Sequence, residues 1–231
     1  MKPTPKAIIF DFDGVIADSE IAAALAFSRA LSEAGLHTTL EDAAALYTGL
    51  IRQEVLHAMA AHWGDRTPLD LAERVAAHFD VAVAAGFEPV TGAADFIATV
   101  AHLPIAIGSS SYTDYIRRHL ASFALEAPFG VHVYSGREHV TRGKPHPDIY
   151  LHAAAQLGVD PGDVVIIEDS PVGARAAVAS GARVIGFVGG SHARPALADA
   201  LLAEGVEIVL GSYDDVAGYL GLAARKTGAG A

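Results

Sequence analysis

Six short apolar runs punctuate the chain, at Ala7–Phe10, Ile105–Ile107, Val131–Tyr134, Val164–Ile167, Val184–Val188 and Ile208–Leu210. Most carry β-branched residues and show no alternation of polar and apolar positions, as expected of strands buried on both faces. Amphipathic stretches with recognisable ends separate the later runs. One follows Asp148 and stops at Gly158, the next runs from Pro171 to Gly181, and a third from Pro195 to Gly205. Proline near the start and glycine just past the end mark helices. Repeated strand and helix units predict an α/β fold with a parallel, doubly wound sheet and right-handed crossovers.

One interval breaks the rhythm. From Asp18 to Gly86 the pattern is helical throughout, with stretches Ser19–Ala34, Ile51–Trp63 and Pro68–Ala85 each ending at a glycine. So long a strand-free interval, placed directly after the first strand, exceeds an ordinary connection. It predicts an inserted helical domain over residues 17–88, attached through Gly14–Ala17 and Phe87–Gly92, with residues 1–16 and 89–231 forming the sheet domain.

Composition narrows the chemistry. Hydrophobic residues make up 52% of the 231 positions and charged ones 19%, enough apolar material for a substantial core. The formal net charge of -11 disfavours nucleic acid and anionic lipid as partners, and it would repel a phosphorylated substrate unless cations gathered locally. The absence of cysteine rules out disulfides, thiolate metal sites and thiol nucleophiles. The apolar run after Lys6 ends at Asp11, too short for a signal peptide, and no run approaches the roughly 18 apolar residues of a membrane span. A cytoplasmic protein is expected, as a monomer or small homo-oligomer.

Candidate chemistry lies where the predicted strands end. Asp11-Phe12-Asp13-Gly14 follows the first run directly. Residues two apart in extended backbone lean to one face, and glycine permits a sharp turn. Gly108-Ser109-Ser110-Ser111 follows the second, where hydroxyls and amides opening a helix suit a phosphate. Gly143-Lys144-Pro145 holds a lysine at a helix entrance. Glu168-Asp169-Ser170 follows the fourth run, and adjacent carboxylates at a buried strand mouth repel unless a cation lies between them. Hard oxygen ligands of this kind suit magnesium.

In this order, the four stretches resemble the haloacid dehalogenase superfamily, in its phosphatase and phosphoglucomutase branch. The likeness includes Gly143–Tyr150, Glu168–Gly173 and Ala176-Ala177 through Gly181. It implies a Rossmann-like core with a helical cap, an aspartyl-phosphate mechanism and a small phosphorylated metabolite as substrate. Asp11 would be the nucleophile and Asp13 the acid and base, with Ser109 and Lys144 holding the transferring phosphoryl oxygens. Magnesium would bind Asp11, the carbonyl of Asp13 and Asp169, with Glu168 in or beside its shell.

Asp13 argues against dehalogenation, because a departing halide needs no proton donor. Gly49-Leu50-Ile51-Arg52 resembles the stretch whose arginine grips a second phosphate in β-phosphoglucomutase. The mutase's cap histidine is replaced by Ala23, and its cap lysine has no counterpart in residues 53–91. Hydrolysis of a sugar phosphate or phosphorylated sugar acid is therefore favoured over phosphate transfer. Gly49, Arg52, Glu20 and Ser110 are the candidate substrate contacts. A catalytically idle binding protein of the same fold is disfavoured by retention of all six principal residues (Asp11, Asp13, Ser109, Lys144, Glu168 and Asp169).

Overall fold

The computed structural model describes residues 4–47, 58–59, 61–191, 193 and 195–222, apart from the side chains of Glu20, Ala45, Tyr47, Ala85 and Pro195. The chain divides into two compact units, one formed by residues up to Ala17 with those from Pro89 onward, the other by Asp18–Glu88.

The first unit is built on six parallel strands: β1 (Ala7–Phe10), β2 (Ile105–Ser109), β3 (Val133–Ser135), β4 (Val164–Glu168), β5 (Arg183–Phe187) and β6 (Ile208–Leu210). Their order across the sheet is β3-β2-β1-β4-β5-β6. Ile9 pairs with Ala106 on one side and Ile166 on the other, and every residue of β1 has 0% exposure. Burial on both faces explains why these strands show no polar alternation. The chain steps outward from β1 to β3, then returns to place β4 on the opposite side of β1. This reversal puts the ligand-binding crevice of an open α/β sheet at the carboxyl end of β1.

Four strands differ slightly from their expected limits; β4 runs on by one residue to Glu168 and β5 is shifted by one to Arg183–Phe187. β3 begins at Val133 rather than Val131, which is 75% exposed beyond the strand. β2 runs on through Gly108 to Ser109, because pairing with Tyr134 and Ser135 of β3 holds glycine and serine extended despite their weak preference for strands.

In the second unit, helices α1 (Glu20–Glu33), α2 (Leu40–Tyr47) and α3 (Leu71–Ala85) pack with helical residues 58–59 and 61–63 around Leu31, Leu36, Met59 and Leu71. α2 starts at a reciprocal cap. The Asp42 N–H donates to Thr39 Oγ1 (3.0 Å), and the Thr39 N–H donates to the Asp42 carboxylate (3.2 Å).

Among the described residues, the first unit also holds helices α4 (Ala93–Val100), α5 (Thr113–Ser122), α6 (Glu126–Phe129), α7 (Asp148–Leu157), α8 (Pro171–Ala179), α9 (Pro195–Ala203) and α10 (Tyr213–Leu220). Tyr213 on α10 lies against Phe96 and Phe187 and donates its hydroxyl to the Val15 carbonyl (2.8 Å). That bond fastens the turn after β1, where Gly14 sits at φ 74°, a conformation costly for residues with a Cβ.

Candidate active site

The site grows from the carboxyl ends of β1, β2 and β4. Asp11 is the first residue past β1. Its N–H donates to the Ile167 carbonyl (3.0 Å), so the ladder with β4 aims the side chain before it turns away. Glu168 is the last residue of β4 and Asp169 follows it. Carboxylate oxygens of Asp11, Glu168 and Asp169 lie within 4.8 Å of one another, and all three residues are buried.

Lys144 joins this group from the loop between β3 and α7. Its ammonium donates to Asp11 Oδ1 (2.8 Å) and Glu168 Oε1 (2.6 Å), and it lies over the Tyr150 ring, 4.9 Å from the centroid. Burial alone would lower the lysine pKa, but the Asp11 and Glu168 carboxylates override it and hold the group well above its usual value. Lys144 is therefore a fixed cation. Burial raises the Asp11 pKa well above the ordinary carboxylate range; Lys144 opposes the rise, while Glu168 and Asp169 reinforce it. Three buried carboxylates gathered this closely repel one another, which favours a cation among them.

Glu168 has no spare capacity. Its Oε1 accepts from Lys144 and from the Tyr150 hydroxyl (3.0 Å), and its Oε2 accepts from the N–H and hydroxyl of Ser170 (2.7 and 3.0 Å). These four donors fill the lone-pair positions of a carboxylate. The folded-back side chain occupies the space where a Cβ on Gly173 would lie, 1.6 Å from Oε1. Ser170 then caps α8 by accepting from the Gly173 N–H (3.1 Å).

On the other side of Asp11, the Asp13 carboxylate is half-buried and accepts from Ser111 Oγ (2.6 Å) and the Tyr115 hydroxyl (3.3 Å). Ser109 closes β2, is 1% exposed, and accepts the Ser111 N–H on Oγ (3.0 Å). Ser110 is exposed beside it. The predicted phosphate-ready opening of α5 is altered in one respect. Glu138 already accepts the Thr113 N–H and hydroxyl (2.7 and 2.6 Å), so the chain's own carboxylate fills that end of the helix.

A profile described as "Haloacid dehalogenase-like hydrolase" matches residues 8–187. The chain belongs to this family. Hexitol phosphatase A of Escherichia coli (strain K12) is 30% identical over 218 residues, covering 91% of this chain and 93% of that protein. The 6-phosphogluconate phosphatase of the same organism is 24% identical over 195 residues, covering 82% and 86%. A solved HAD family hydrolase from Deinococcus radiodurans R1, with bound phosphate and sodium, superposes with a TM-score of 0.84 at 34% identity, covering 96% of this chain and 98% of its own. These likenesses put the chain in the phosphatase branch of the haloacid dehalogenase-like hydrolases.

The fold of this family member brings Asp11, Lys144, Glu168 and Asp169 into one cluster, with Asp13, Ser109 and Ser110 on the adjoining strand ends. Gly49 and Arg52 lie outside the described residues, as does the side chain of Glu20, which opens α1. The sequence assigns no role to Tyr150, Tyr115 or Arg137, and Ser111, which stands in the candidate phosphate stretch, donates to Asp13. Tyr150 stood within the Gly143–Tyr150 run, so its spacing from Lys144 was available as a signal. Tyr115 offered none, because an aromatic residue in an amphipathic helix reads as core. Among the described residues, no helix is long and apolar enough to cross a membrane.

Proposed function

We propose that this phosphoric monoester hydrolase cleaves a small phosphorylated sugar or sugar acid, using magnesium and a covalent phosphate on Asp11. The observation that carries this reading is the buried convergence of Asp11, Glu168 and Asp169, with Lys144 paired to the first two.

The donor set fits a hard divalent ion: oxygens of three buried carboxylates gather within 4.8 Å of one another. Asp11 and Asp169, with the carbonyl of Asp13, would hold it. Glu168, saturated by its four donors, stands behind and fixes Lys144. Magnesium held there would neutralise charge on the reacting oxygens.

The chain's own groups divide the remaining work. Lys144 and Ser109 hold the phosphoryl oxygens. An Asp11 oxygen bonds to phosphorus as the ester P–O bond breaks, and Asp13 protonates the departing oxygen. Asp13 then takes a proton from water as that water attacks phosphorus, releasing phosphate and restoring Asp11. Ser111 and Tyr115 hold the Asp13 carboxylate by both its oxygens in the resting arrangement. Phosphoryl transfer needs positioning and charge neutralisation above all, and the cluster supplies both.

Phosphate release from a metabolite panel, with magnesium and with chelator, tests the reading. Isomerisation of β-glucose 1-phosphate in the presence of its bisphosphate is scored separately. Turnover is expected only with the metal, and Asp11→Asn is expected to abolish it in a folded protein. Activity of that variant within about tenfold of wild type refutes the covalent mechanism.

A further inference from the structure

Two residues beyond β3, Arg137 turns back toward the neighbouring strand. Its N–H donates to Ser135 Oγ (3.1 Å) and its Nε donates to the Ser110 carbonyl (2.7 Å). The guanidinium lies over the Tyr112 ring, 5.2 Å from the centroid. The next residue, Glu138, grips Thr113, and the Gly136 N–H donates to the Ser109 carbonyl (2.7 Å). Three consecutive residues thus clasp the loop after β2 to the loop after β3.

The clasp orients Arg137 without exhausting it. Among the described residues no acceptor engages its η nitrogens, and no carboxylate pairs with it although the chain's net charge is -11. Stacking and the Nε bond hold the plane of the guanidinium, so its forked edge is ready for a planar two-oxygen anion. Ser110, whose carbonyl anchors it, lies between Ser109 and Ser111, and Ser111 reaches Asp13. Arg137 is thereby tied to the rim of the reaction centre.

We propose that Arg137, stacked on Tyr112, forms a second anion subsite that reads a carboxylate at the far end of the substrate. Phosphorylated sugar acids would then be preferred over neutral sugar or hexitol phosphates. The inference rests on the phosphatase reading and narrows its substrate class. The placement of Arg137 supports it. Its anchor, Ser110, lies in the loop after β2, the strand paired with β1, and Asp11 directly follows β1.

The test compares 6-phosphogluconate with glucitol 6-phosphate, which differ chiefly in a terminal carboxylate against a hydroxymethyl group. Wild-type kcat/KM should favour the acid, and Arg137→Ala should lower it about tenfold for the acid while leaving the hexitol phosphate within about twofold. Arg137→Lys, keeping charge without the fork, should fall between. An equal loss on both esters would make Arg137 merely a structural clasp and overturn the proposal, as would an unchanged ratio. Calorimetric binding of the same pair to Asp11→Asn protein probes the subsite independently of turnover. Tighter binding of the acid that Arg137→Ala abolishes supports the subsite, and equal affinities sink it. Absence of phosphate release by wild type would count against the phosphatase reading alone.

Discussion

Gly173→Ala offers a sharp test of how the site is built, because the expected sign of its effect depends on a second residue. A Cβ at this position would lie 1.6 Å from Glu168 Oε1 and 2.1 Å from its Cδ, so the carboxylate must retreat by more than an ångström. Glu168 is 0% exposed and cannot retreat into solvent. The oxygen most strongly displaced carries the bonds from Lys144 and Tyr150. Losing two hydrogen bonds to an ionised carboxylate should cost about 3–6 kcal/mol. Without the clash the same change should stabilise the protein. Gly173 sits in the first turn of α8, and alanine is favoured over glycine in helices by about 0.5–1 kcal/mol. In a Glu168→Ala background, Gly173→Ala should therefore be neutral or stabilising. Urea denaturation followed by circular dichroism, or amide exchange in β1 and β4, measures the four corners of this cycle. Fluorescence is unsuitable, because the chain's one tryptophan, Trp63, belongs to the Asp18–Glu88 unit. Equal costs of Gly173→Ala in both backgrounds would refute the clash as the cause.

Other expectations follow from the same geometry. Lys144→Met should lower phosphate release by about 10²–10³-fold, since it removes a preorganised cation from the phosphoryl oxygens, and single-turnover rates would reveal a smaller effect. Asp13→Ala should slow alkyl phosphates by about 10²–10⁴-fold and aryl phosphates much less, because a good leaving group needs no proton; equal losses on both would contradict the acid role. Burial lowers the pKa of His119, with Asp13 opposing and Arg118 adding, and burial likewise lowers that of His152, with His139 adding. The unfolded chain then binds more protons than the folded one between the depressed values and the ordinary value of about 6.5. This contribution is fully present above about pH 6.5 and is lost as pH falls through the folded values. Tm should therefore drop as pH falls below about 6.5, and a shallower slope is expected for a His119→Gln, His152→Gln double variant. Parallel slopes would disprove the assignment.

Much of the fold was legible because its signals are local. Strands buried on both faces must be apolar along their whole length, and helices need prolines, caps and glycines at fixed offsets, so run lengths and punctuation revealed the α/β alternation and the strand-free interval. The four chemical motifs could be found for a related reason. A parallel sheet carries its ligands at the carboxyl ends of strands, so chemistry sits directly after each apolar run. Tertiary structure decided how the motifs combine. Strand order alone brings β1 beside β4 and β2, and with them Glu168 and Ser109 beside Asp11, although far apart in the chain. The bonds from Lys144 and Tyr150 to Glu168, and the support of Asp13 by Ser111 and Tyr115, join segments apart in the chain, whereas the Ser170 bonds and the space above Gly173 lie within the Glu168–Gly173 run. Glu138 illustrates the limit. Nothing nearby in sequence marks it as the cap of α5, because the helix it caps begins 25 residues earlier on a neighbouring strand's loop. Periodicity records what a residue must bury, whereas the partner that completes a buried charge is chosen only when the sheet is assembled.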